Sequence, residues 1–92
     1  MLPNVSNYGQ YSSDNYGAHT REVKLANITL YYSYDTIVAY RDNKDGLIVS
    51  VNQWGTTTGK HLNWIDGGDK KSRKSAEDFK VMLESACKRH NI

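Results

Sequence analysis

The chain has 92 residues, a formal net charge of +2 and one cysteine. That length bounds it to a single domain with a modest core, to which nearly every large apolar residue must contribute. No apolar run approaches the roughly 18 residues of a membrane span. The first residues lack the basic start and apolar centre of a signal peptide, and a lone Cys87 makes no internal disulfide; a cytoplasmic protein is the expectation. The seven tyrosines bring large rings whose hydroxyls need partners or water, so several belong at a surface or an interface. Charge is uneven: residues 1–59 hold four basic and five acidic side chains, residues 60–92 eight and five.

Residues 1–18 form a polar arm rich in Asn, Ser, Gly and Tyr. Its three tyrosines, Tyr8, Tyr11 and Tyr16, are spaced to pin it onto the body of the domain, so partial order is expected. Residues 20–52 then alternate in the manner of strands. Val23 and Leu25 share a face, Ile28, Leu30 and Tyr32 repeat every second residue, and the stretches 36–41 and 47–51 are β-branched and aromatic. Between the last two, Asp42-Asn43-Lys44-Asp45-Gly46 has the Asp-Gly chemistry of a hairpin turn. The short joints elsewhere predict a continuous antiparallel meander of about four strands.

Residues 53–74 show neither periodicity and read as a loop with one short helical turn. Gly55-Thr56-Thr57-Thr58-Gly59-Lys60 invites comparison with a phosphate-binding P-loop. The comparison fails: only three residues separate the glycines, and His61 stands where Ser or Thr is needed. A turn over 59–65, capped by Thr57 or Thr58, fits better; Leu62 and Ile65 would face the core, with Lys60, His61 and Trp64 turned outward. Residues 75–90 read as a helix. Ser75 is its cap, Glu77 and Asp78 sit in its first turn, and Phe79, Met82, Leu83, Ala86 and Cys87 make its apolar stripe. Lys88, Arg89 and His90 complement the negative end of its dipole. The fold expected is thus α+β, a meander sheet packed on one face by a C-terminal helix.

Chemistry-bearing residues concentrate in the 53–74 segment. His19, His61 and His90 are far apart in sequence and lack a cysteine pair, so zinc spacing is absent. No nucleophile sits in a recognisable elbow. The expectation is a protein without catalytic, metal or cofactor residues, whose partner-binding set is Trp54, Lys60, His61, Trp64, Lys70, Lys71, Arg73 and Lys74. The tryptophans read equally as plugs for the open end of a sheet–helix sandwich. If exposed, an aromatic face beside cations serves a single-stranded nucleic acid or a protein hot spot.

The runs Tyr34-Asp35-Thr36-Ile37-Val38-Ala39-Tyr40 and Asn52-Gln53-Trp54, with Thr57-Thr58-Gly59-Lys60-His61-Leu62-Asn63-Trp64-Ile65, resemble a family of small proteins carried by phages and plasmids. The resemblance spans roughly residues 30–83 and implies no catalytic residues. It implies context: a mobile-element protein in the cytoplasm of an infected bacterium. From it follows the leading expectation, a non-catalytic inhibitor that binds a host defence protein such as a Cas effector, in the manner of an anti-CRISPR protein. The absence of a dense acidic surface argues against nucleic-acid mimicry. A small nucleic-acid-binding accessory protein is the alternative. A homodimer is a further expectation, because a meander leaves strand edges open.

Overall fold

The computed structural model describes residues 3–9 and 17–92. Their elements are β1 (Asn4–Ser6), β2 (Thr20–Lys24), β3 (Ile28–Ser33), β4 (Thr36–Asp42), β5 (Gly46–Val49), α1 (Thr56–Asp66), a 3-10 turn (Lys70–Ser72) and α2 (Ala76–Arg89). The strands form one antiparallel sheet in the order β1-β2-β3-β4-β5. The meander and the C-terminal helix are as expected, with one strand more. The extra strand is β1, from the arm, which pairs Val5 with Val23 and covers the edge of β2. Of the arm's tyrosines, Tyr8 does pin it. Its ring is buried and its hydroxyl donates to the carbonyl of Tyr32, while Thr20 Oγ1 accepts from its backbone amide. Tyr11 and Tyr16 lie outside the described residues.

Both faces of the sheet are apolar, and one irregularity decides which β4 residues go to which face. Tyr31 pairs with Ala39 but Tyr32 pairs with Ile37, which leaves Val38 as an extra residue in β4. Such a bulge puts two neighbouring residues of one strand opposite a single residue of the other and resets the alternation. Val38 and Ala39 consequently share one face with Tyr8, Tyr31, Val49 and Leu62. Tyr40 and Ile37 fall on the other, with Ile28, Leu30, Ile48, Phe79 and Ala86. Each face needs a cover: α1 lies on the first and α2 on the second. A sheet covered on one side only is therefore an incomplete description of this domain.

The helices have different ends. Ser75 caps α2 by accepting from the amide of Asp78, as its sequence predicts. The N-cap of α1 is Gly55, with no side-chain hydrogen bond, and its C-cap Gly67 adopts φ +67°, a left-handed stop that glycine reaches at low cost. The expected single turn at 59–65 is thus an eleven-residue helix starting at Thr56. Between the helices the chain passes around the β5 edge. There Lys74 pairs in parallel with Ser50, its amide donating to Val49 and its carbonyl accepting from Val51.

The end of α2 is tied to the β4–β5 hairpin by ions. Arg89 reaches Asp42 at 2.6 Å and Asp45 at 3.1 Å, and His90 Nε2 lies 3.1 Å from Asp42. Tyr40 donates its hydroxyl to Asp45 at 2.6 Å; burial first, and this bond second, push the phenol well above its ordinary range. For Asp42, whose side chain is fully buried, burial alone would likewise raise the pKa. The amide of Asp45, then Arg89 and His90, outweigh it and hold the carboxyl at about 2.

A carboxyl depressed in the folded state stabilises above its unfolded pKa and loses that contribution as pH falls through the folded one. From pH ~4 to ~2 the chain should lose roughly 2 kcal/mol through Asp42. In denaturant titrations across this window, Asp42→Asn should be less stable at neutral pH and show a flatter decline. Parallel pH profiles would contradict the assignment.

Candidate functional site

The residues of the 53–74 segment divide sharply by burial. His61 is fully buried and Ser33 is 2% exposed, while Trp54 and Trp64 are 42% and 48% exposed. His61 is therefore turned inward, not outward as its place in the sequence predicts. Helix α1 begins three residues earlier than the predicted turn and buries Thr58, His61 and Leu62 together, the i, i+3, i+4 positions of one helical face. His61 Nδ1 lies 2.7 Å from Ser33 Oγ, which in turn lies 2.9 Å from Thr58 Oγ1. These bonds compensate the cost of placing polar side chains beneath a helix. Tyr8 stands edge-on to the imidazole, with centroids 6.1 Å apart, and supports Trp64 from 5.7 Å.

The basic residues do not form one cluster. Arg73 has its side chain 4% exposed and ion-paired to Asp66, itself 7% exposed. Two bonds, at 2.7 and 3.0 Å, make the pair bidentate, and Asn63 accepts a third at 3.0 Å. Burial alone would raise the pKa of Asp66, but Arg73 and the amide of Gly68 carry it below the usual carboxylate range. Arg73 thus fastens the segment after α1 to the helix and belongs to the framework. Lys60, Lys70 and Lys71 are exposed, and Lys74 is half-buried beside β5. Among the described residues no group of three or more His, Cys, Asp or Glu side chains is placed to hold a metal ion.

What the fold brings together instead is an aromatic rim around the β3–β4 turn. Tyr34, the first residue of that two-residue turn, has φ +56°, a left-handed conformation unusual for a bulky side chain. The residue is 48% exposed, and its ring stacks on His19 at 4.3 Å and lies 6.3 Å from His61. A cleft of about 370 Å³ separates Tyr34 from Trp54, floored by Ser33 and Val38 and flanked by Thr56, Thr57 and Thr58. On the other side of Tyr34 lies a second cleft of about 390 Å³, bounded by His19, Arg21, Tyr32 and Asp35. Sequence reasoning found Trp54 but missed Tyr34, His19 and Arg21, which sit in a turn and a strand start with no distinguishing pattern.

Trp54 is positioned by Asn52. The side-chain carbonyl of Asn52 accepts from the Trp54 amide at 2.9 Å, and its amide group donates to Gly55 at 3.0 Å. A Cβ on Gly59 would stand 3.0 Å from the Asn52 amide nitrogen, so the glycine leaves room for this brace. No helix of the described residues is long and apolar enough to cross a membrane. Over residues 4–81 the chain matches the family of unknown function DUF8033, and it belongs to that family. No curated protein and no solved structure matches it.

Gly59→Ala should leave overall stability within about 1 kcal/mol, because the gain in helix propensity offsets the contact with Asn52. The amide and indole resonances of Trp54 should nevertheless shift, as the Asn52 brace is displaced. Unchanged Trp54 resonances would show that the glycine does not position the rim.

Proposed function

We propose that this chain is a non-catalytic binding protein that engages a protein partner through the rim of Tyr34 and Trp54. One observation carries the reading: a bulky aromatic is held in left-handed backbone, at a cost of about 1–3 kcal/mol, while the residue stays about half exposed. Strain of this kind concentrates at ligand-contacting positions, and half-exposed aromatics over a cleft match the anchors of protein interfaces. The burial of Ser33 and His61 beneath α1 supports a framework role for that pair rather than a reactive one. The likeness to phage and plasmid proteins supplies the partner class, a defence protein in the cytoplasm of an infected bacterium, such as a Cas effector. Inhibition would follow from covering a protein surface or its junction with nucleic acid.

Nucleic-acid binding is the second reading, favoured by the exposed Lys60, Lys70 and Lys71 on the same stretch of chain. It ranks lower because Arg73 is committed to Asp66 and the rim is aromatic and hydroxyl-lined.

The test compares the native chain with Tyr34→Asn plus Trp54→Ala. Asn tolerates the left-handed turn, so this variant should remain folded by circular dichroism. The native chain should recover a defence component from bacterial lysate and lower its activity once that component is purified. The double variant should bind it roughly tenfold or more weakly. A recovered partner whose activity is unaffected, or a folded variant that binds as well as the native chain, would remove the reading. Steeply salt-dependent oligonucleotide binding, lost on changing Lys60, Lys70 and Lys71 but kept in the rim variant, would replace it with the second.

A further inference from the structure

The cleft beyond Tyr34 carries an arginine that pairs with no carboxylate among the described residues. Arg21 sits on the same face of β2 as Val23, opposite Tyr32 of β3, and lines the cleft with both of them. Its Nη1 donates to the carbonyls of Thr20 at 3.0 Å and Ala18 at 3.3 Å. Those bonds fix the guanidinium without cancelling its charge. Among the described residues no carboxylate comes within ion-pair distance of it; Glu22, the nearest in sequence, faces the other side of the sheet and pairs with Lys24. Arg73 and Arg89, by contrast, each hold an aspartate. Among the described residues Arg41 also lacks an acid, but no carbonyl holds it and it lines neither of the two clefts.

We infer that Arg21 seats a carboxylate side chain of the bound protein, so that the partner segment crossing Tyr34 pairs an acidic residue with an apolar one. The apolar residue enters the Tyr34–Trp54 cleft and the acid enters the Arg21 cleft. A guanidinium offers its remaining N–H groups as a fork that fits a carboxylate. The stacked rings of His19 and Tyr34 wall the approach. Asp35 lines the same cleft without pairing to Arg21, and its charge disfavours a polyanion there. The seat therefore fits one carboxylate rather than a phosphate backbone. This inference rests on the protein-binding reading above and specifies the chemistry of the partner.

Two blocked pentapeptides distinguish the possibilities, Gly-Phe-Glu-Phe-Gly and its Gln counterpart, titrated into the isotopically labelled full chain and followed by NMR. The Glu peptide should shift the Arg21 Nε signal and the amides of His19, Arg21 and Asp35, and should bind about threefold more tightly than the Gln peptide. Arg21→Gln should abolish that difference while leaving shifts at Trp54 and Thr57 intact. Equal affinities of the two peptides, with shifts confined to the Trp54 side, would overturn the carboxylate seat and leave the aromatic reading standing. Absence of shifts on either side of Tyr34 would overturn both. An oligodeoxythymidine that shifts the Arg21 signals more than the Glu peptide does would overturn the seat in favour of nucleic acid.

Discussion

The structure depends on a five-stranded sheet that is apolar on both sides. The extra residue at Val38 resets the alternation of β4, so the strand contributes Val38 and Ala39 to one core and Ile37 and Tyr40 to the other. A small chain can satisfy two such faces only with two covers. Between them it must carry the backbone past the sheet edge without stranding polar groups. Lys74 does this by pairing with the outer side of β5, and the buried Arg73–Asp66 pair fastens the crossing to α1. The hairpin end is closed separately by Arg89 and His90 on Asp42.

The position of the candidate site follows from these requirements. Helix α1 is short of apolar residues, so its inner face is completed by Thr58 and His61, whose polar atoms meet Ser33 at the end of β3. The same strand end leads directly into the Tyr34 turn. The groups that hold the helix down and the groups that form the rim are therefore neighbours in the chain, and Tyr34 contacts both imidazoles, those of His19 and His61. A rigid base under exposed rings lowers the entropy lost on binding. This relation is what supports a binding role for the rim.

Much of the fold was legible in the sequence because its signals are local. The hairpin at Asp42–Gly46, the strand alternation and the Ser75 cap each depend on residues within a few positions of one another. Strand β1 was not legible: Asn4, Val5 and Ser6 carry one apolar side chain, and the pairing that makes them a strand is with Lys24, Val23 and Glu22. Helix α1 escaped for another reason. Its inner stripe of Thr58, His61, Leu62 and Ile65 has helical spacing, but half of its members are polar, and their bonds to Ser33 are made with strand β3. Arg73 read as one of a basic run because its partner Asp66 is seven residues away, across a glycine stop. The site was half legible: Trp54 announced itself by composition, whereas the backbone strain at Tyr34 and the placing of Arg21 in a cleft beside it exist only in three dimensions.

The central claim is that the 53–74 segment is a docked helix displaying a rim, rather than a mobile loop. Native-state amide hydrogen exchange of the full chain tests it directly. The amides of His61 and Leu62 should exchange as slowly as those of Val38 and Tyr40 in the central strand, opening only with global unfolding. Exchange at the rate of an unstructured loop, with β4 still protected, would contradict the account.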